Sequence, residues 1–234
     1  MRRISRYLPL LFVLPCCVPL ASAQSQFDLN LGFGAIHDSA NSTQVDQNLN
    51  PCTTAGGNVP VTPCVSTPSL SGFTMGVGGD LMLKKKFGIG AEVAFQPGKE
   101  TNIPNIAALA TYYGENTFTI QSRMTLYDFN GIYQPVSTKK VQLKLMGGIG
   151  GANLKFYENT SSSSVLGNQN QSQYAQSSNH LNVHGGVGVD VFVTDHIFVR
   201  PEFDVHYVPN LNQNFGSDIV LQGMVWVGYS WGDR

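Results

Sequence analysis

With 234 residues the chain is long enough for one barrel or sandwich domain. Only 12% of its residues are charged and the net charge is -1, which excludes a basic surface for nucleic acid. A soluble domain carries about 25% charged residues, so the shortfall means that much of this surface does not face water. The chain holds 25 glycines, 13 phenylalanines and 9 tyrosines. Beyond its N-terminus it has no run near the roughly 20 apolar residues of a spanning helix. Together these point to β-structure in a membrane.

The N-terminus reads as a targeting segment. Arg2, Arg3 and Arg6 form a basic region, Leu8 to Leu20 an apolar core, and Ala21-Ser22-Ala23 a small-residue cleavage site. The expectation is a signal peptide over residues 1–23 and a mature barrel domain over 24–234, exported to the bacterial outer membrane. Cys16 and Cys17 would leave with the peptide, because Pro15 makes a poor lipoprotein site. Cys52 and Cys64 remain, in a Pro/Gly/Thr-rich stretch and an oxidising compartment, so a loop-closing disulfide is expected. Their spacing is not a metal pattern and no histidine lies between them.

In chain order, Phe27, Leu29, Leu31, Phe33 and Ala35 alternate with Asp28, Asn30, Gly32 and Gly34 as a first strand. His37 to Ser69 lacks periodicity and reads as a long loop. The second strand sets Phe73, Met75, Val77, Leu81 and Leu83 against Thr74, Gly76, Gly78, Asp80 and Met82, and the turn Lys84 to Lys86 follows. The third sets Phe87, Ile89, Ala91, Val93 and Phe95 against Gly88, Gly90, Glu92 and Ala94. After a connection over 96–116, the fourth puts Phe118, Ile120, Met124 and Leu126 opposite Thr119, Gln121, Arg123, Thr125 and Tyr127. Its register changes over 128–136, which predicts a bulge.

Ser137 to Lys140 is a short turn. The fifth strand places Val141, Leu143, Leu145 and Ile149 against Gln142, Lys144, Met146 and Gly148, and a Ser/Asn/Gln-rich loop is expected over 157–179. The sixth and seventh strands form the hairpin His180 to Val208, broken at Thr194-Asp195-His196. In it Leu181, Val183, Val187, Val189, Val191 and Val193 share one face with Ile197, Val199, Phe203 and Val205. A loop over 209–218 leads to the last strand, Ile219 to Trp231.

The connections alternate between long and short. Eight strands are therefore joined by four extended loops at one end and three tight turns at the other. This asymmetry belongs to an eight-stranded antiparallel up-and-down transmembrane β-barrel, with turns and both termini periplasmic. A lipocalin-like soluble barrel would turn the apolar face inward. Here the opposite face is mostly small residues and a few charges, too bare for a soluble exterior but suited to a crowded lumen.

That inward face collects Asp28, Asp80, Glu92, Arg123, Lys144, Asp190, Arg200, Glu202, Asp204 and His206, with His184 nearby. Isolated buried charges are too costly, so the expectation is a salt-bridge and hydrogen-bond network that plugs the barrel. Arg123, Lys144 and Arg200 would be the cationic partners. Trp226 also points inward as packing. Tyr133, Tyr207, Tyr229 and Trp231 fit aromatic girdles, while the parity of Tyr127 points inward.

On the hairpin GGVGVDVFVTDHIFVRPEFDVHYV and the closing strand IVLQGMVWVGYSW, the chain resembles small outer-membrane β-barrels, the superfamily of the OmpA transmembrane domain and OmpX. The resemblance covers essentially the whole mature chain. It implies insertion by the outer-membrane assembly machinery, which reads the last strand, and contact with outer-membrane lipid. Members usually end on an aromatic residue; here Gly232-Asp233-Arg234 follow Trp231. Some barrels of this size are lipid-modifying enzymes, but His206 precedes Tyr207 and Val208, His184 precedes glycines, and no Ser/His/acid spacing appears. His37 and Asp38 share only residue types with an outer-membrane protease. P-loop, dinucleotide and zinc motifs are absent, so no enzyme activity, cofactor or metal is assigned. The expected role is structural or interactive, with loop 37–69 meeting an external partner; a narrow pore for ions or small solutes is the alternative.

Overall fold

Rows of apolar side chains at period two can be buried only if each segment is extended and its neighbours present the same face. The computed structural model describes residues 26–38, 44–45, 65–66, 70–103, 110–111, 115, 117–164 and 167–232. Eight long strands carry the fold: β1 (Gln26–Asp38), β2 (Ser71–Lys84), β3 (Phe87–Phe95), β4 (Thr117–Ser137), β5 (Val141–Ser164), β6 (Gly167–Phe192), β7 (Ile197–Tyr207) and β8 (Ile219–Trp231). Each pairs antiparallel with its sequence neighbour. β1 also pairs with β8 from Phe27↔Trp231 to Asp38↔Val220, so the sheet closes into an eight-stranded barrel. Closure gives each of the eight strands a paired neighbour on both edges, as lipid requires. Pro201 lies on the outward face of β7, and the β6–β7 ladder skips Arg200 and Pro201, as a residue without an N–H dictates.

The apolar rows face outward. Leu29, Leu31, Phe33, Val77, Ile89, Phe129, Ile149, Val187, Phe203 and Val227 are all exposed, and together they form the lipid belt. Aromatic pairs mark its turn-side rim: Phe27 stacks on Trp231 at 5.6 Å, Phe87 lies 5.2 Å from Tyr133, and Tyr229 lies 4.5 Å from Trp231. The turns beneath are tight. Thr194 Oγ1 accepts from Ile197 N at 2.9 Å, and Thr138 Oγ1 accepts from Val141 N at 3.0 Å.

At the opposite end, the strands outgrow the belt and the polarity inverts. Phe118, Ile120, Met124 and Leu126 point inward, where they join Ile36, Leu70, Ala152, Leu154, Phe156, Val208, Leu211, Phe215 and Val220 in an apolar core. This overturns the parity expected for the fourth strand. Even-numbered residues face inward without interruption from Phe118 to Gln134, and Tyr127 faces outward with Phe129. The change of pattern near Asp128 is a change of surroundings, from water outside the strand to lipid outside it. A register shift does fall within 128–136, between Tyr133 and Val136.

The expected loop over 157–179 is also corrected. The β5–β6 ladder runs unbroken in pairing from Val141↔Val191 to Ser164↔Gly167, with one irregularity at Phe156/Tyr157. Both faces of this outer hairpin are open over 157–162 and 170–177, so the Ser, Asn and Gln residues there carry no period-two signal although they form a strand. Glu100–Ile103 adds a short strand to β4, and Leu211–Gln213 forms one 3-10 turn in the 209–218 connection. In the first long connection Gln44–Val45 pairs with Val65–Ser66. Cys52, Cys64 and residues 1–23 lie outside the described residues.

Candidate functional site: the charged lumen

Inside the belt the inward face is polar and tightly paired. Near the turn end, Lys144 on β5 reaches three carboxylates: Asp28 Oδ2 at 2.8 Å, Asp80 Oδ2 at 2.8 Å and Asp190 Oδ2 at 3.0 Å. Asp28 and Asp80 are direct register partners on β1 and β2, and like charges so placed repel unless a cation bridges them. Lys144 supplies that cation from the far wall. Arg200 on β7 adds a second, with Nη2 donating to Asp80 Oδ2 at 2.7 Å and Nε donating to Asp190 Oδ1. Gln26 and Gln142 cap the group, the Gln26 amide donating to Asp28 at 3.0 Å. Asp28, Lys144 and Asp190 are 0% exposed and Arg200 is 1%, so no column of water runs beside them.

A second tier sits above. Trp226 on β8 donates from Nε1 to Glu202 Oε1 at 2.7 Å, and Glu202 Oε2 lies 3.5 Å from Arg200. Glu92 on β3 is the register partner of Asp128 on β4. Asp128 Oδ1 lies 3.2 Å from His184 Nδ1 and accepts from Asn182 Nδ2 at 2.6 Å. His184 and His206 are register partners on β6 and β7, with rings stacked at 5.2 Å. Room for these groups comes from glycines on the neighbouring strands. A Cβ at Gly148 would lie 2.9 Å from His184 Cε1, and one at Gly150 would lie 2.7 Å from Asp128 Oδ1.

A closed ring of eight strands with an apolar outside and a charged inside is the architecture of one group of proteins. The sequence matches the outer membrane protein beta-barrel domain family over residues 8–231. The chain belongs to that family. It is therefore a bacterial outer-membrane barrel. No curated protein matches the sequence. Among solved structures, a major outer membrane protein from Thermus thermophilus is similar at a TM-score of 0.54 and 11% identity, covering 88% of this chain and 99% of that one. OprG from Pseudomonas aeruginosa gives 0.48 at 12% identity, covering 92% and 99%. Ail of Yersinia pestis gives 0.45 at 11%, covering 89% and 99%. These likenesses concern the fold alone.

Of the lumen residues expected from sequence, the barrel brings together Asp28, Asp80, Glu92, Lys144, Asp190, Arg200, Glu202, Asp204 and His206, all buried. Arg123 is the exception. It has the outward parity of Tyr127, stands opposite Lys155 in the outer part of the wall, and is only half-buried. The cause is the inverted polarity of β4 above the belt, where the apolar row is the inner one.

Asp128 escapes the sequence pattern for the same reason. Counting every second residue down from Phe118 places it inside. The barrel also sets His37 Nδ1 2.7 Å from Ser71 Oγ on the neighbouring strand, a pairing invisible to local spacing. Asp38 turns to the inner side of β1 and is buried, away from that pair.

Proposed function

We propose that this protein is a closed outer-membrane barrel that holds a polar contact surface above the membrane and conducts nothing in its resting state. The observation that carries the reading is complete burial across one level of the lumen, at Asp28, Lys144, Asp190 and Arg200. The apolar core above it, including the Phe156–Phe215 stack at 5.5 Å, closes the outer mouth a second time. Above the belt, β4, β5 and β6 continue as one sheet. Its face holds a groove of about 460 Å³ lined by Thr117, Thr119, Gln121, Asn159, Ser161 and Ser172, all uncharged hydroxyl and amide groups. Such a surface suits a partner bound through hydrogen bonds rather than charge. We place the partner contact there and on the 37–69 connection.

The alternative is a narrow pore, favoured by the excess of carboxylates in the upper tier. Opening it would require breaking the Lys144 contacts. Planar-bilayer recording of the refolded chain separates the two readings. The closed barrel gives no reproducible unitary steps, and such steps in the unmodified protein would overturn this reading in favour of the pore.

A further inference from the structure

The second lumen tier contains a set of side chains that the closed-barrel reading does not use. Among the described residues, apart from Asp38 at the outer end, seven carboxylates are buried inside (Asp28, Asp80, Glu92, Asp128, Asp190, Glu202 and Asp204), against two permanent cations, Lys144 and Arg200. Lys144 ends on the lower tier, and Arg200 reaches up only as far as Glu202, at 3.5 Å. Around Asp128 the partners are instead two imidazoles and an amide. We propose that Asp128, His184 and His206 form a binding site for one divalent first-row transition-metal ion inside the barrel.

The geometry fits that ion class. One oxygen of Asp128 and one ring nitrogen from each histidine all lie within 4.8 Å of one another, and all three residues are buried. Ligands bound at about 2.1 Å lie no more than roughly 4.2 Å apart. The triad therefore reaches bonding geometry with sub-ångström shifts, and the Asp128–His184 edge, at 3.2 Å, already meets it. Two imidazoles and one carboxylate select Zn²⁺, Ni²⁺, Cu²⁺ or Fe²⁺ over the oxygen-seeking Mg²⁺ and Ca²⁺. A second observation points the same way. Among the described residues, His184 Nε2 and Asn182 Oδ1 are buried without a hydrogen-bond partner. A buried polar atom left in that state is disfavoured, and a cation offers these atoms the ligation they lack. Gly148 and Gly150 keep the wall beside the triad clear of side chains. Glu92, in register with Asp128, adds a second carboxyl group beside the site. All the ligands project from strand interiors of a closed barrel rather than from loops, so the site is set by the fold.

The closed lumen dictates the experiment, because the ion must be offered while the barrel forms. The full chain is refolded into detergent micelles with Zn²⁺ or Co²⁺, passed over a chelating resin, and analysed for bound metal. The expected result is about one ion per chain, with visible d–d absorption for Co²⁺. His184→Gln, His206→Gln and Asp128→Asn should each lower affinity at least tenfold. Should those variants fail to show the heat-modifiable migration of a folded barrel, the triple variant His37→Gln/His180→Gln/His196→Gln decides. It removes every histidine outside the triad, so retained stoichiometric metal supports the site and lost metal overturns it. Wild-type chains that refold yet leave the resin without metal also overturn it.

Discussion

Lys144 and Asp28 stand on opposite walls of the barrel, and their side chains meet: Nζ lies 2.8 Å from Oδ2, with neither side chain exposed. β5 and β1 are four strands apart in the ring in either direction, so this pair spans the full diameter of the lumen. Lys144 also holds Asp80 and Asp190, which makes it the hub of the lower tier. Removing one partner of a buried ion pair leaves the others uncompensated and typically costs about 3–5 kcal/mol. Lys144→Met should therefore lower the urea midpoint of the barrel refolded in phospholipid vesicles by an amount of that order. The double variant Lys144→Met/Asp28→Asn should recover part of it. A wild-type midpoint for Lys144→Met would show that the hub does not stabilise the fold.

The two arginines expected in the lumen part company in the same assay. Arg200 is 1% exposed and contacts three carboxylates, whereas Arg123 stands on the outer side of β4 opposite Lys155. Like charges directly across a ladder are mildly destabilising, so Arg123→Thr should leave the midpoint unchanged or raise it, within about 0.5 kcal/mol. Arg200→Gln should lower it by about 3–5 kcal/mol. Equal losses for both would return Arg123 to the interior.

This contrast shows how far the sequence can be read. Within the belt, lipid on one side and a packed lumen on the other impose opposite chemistry on alternate residues. Rows such as Phe27–Phe33 and Val183–Val191 therefore announce both strand and face. Above the belt that rule fails in two ways. In β4 the inner side becomes the greasy one, so the row from Phe118 to Leu126 looks like a lipid face, which draws Arg123 inside and leaves Asp128 out. In the outer hairpin both faces are open over 157–162 and 170–177, and Asn159 or Ser172 carries no sign of belonging to a strand. Long-range pairings such as His37 with Ser71, or His184 with Asp128, depend on the closure of the ring. No local pattern encodes them.

Glycines report the same division of faces. Gly76 points inward against the ring of Trp226, where a Cβ would lie 2.5 Å from Cη2 and 2.9 Å from Cζ3. Gly223 points outward, and a Cβ there would meet nothing within 4 Å. Overpacking a filled interior costs about 1–3 kcal/mol. Gly76→Val should thus lower the unfolding midpoint, while Gly223→Val, adding apolar surface to the lipid side, should leave it unchanged or raise it. Reversed outcomes would mean that the faces have been assigned the wrong way round.

The two tryptophans permit an optical test of that assignment. Trp231 is 45% exposed in the aromatic rim at the turn end, whereas Trp226 is 0% exposed in the lumen and bonded to Glu202. In vesicles containing brominated lipid, Trp226→Phe leaves Trp231 as the sole indole, and its emission should be strongly quenched. Trp231→Phe leaves Trp226, which should be barely quenched by brominated lipid and poorly accessible to aqueous acrylamide, because the β-wall and the closed lumen shield it from both. Trp226→Phe has a further consequence. It removes the indole donor on Glu202 Oε1, and leaving a buried acceptor short of a bond costs about 1–3 kcal/mol. The urea midpoint should fall accordingly, whereas Trp231→Phe keeps an aromatic ring against Phe27 and should change it little. Strong acrylamide quenching of Trp226 in the folded barrel would show water in the lumen and reopen the pore reading.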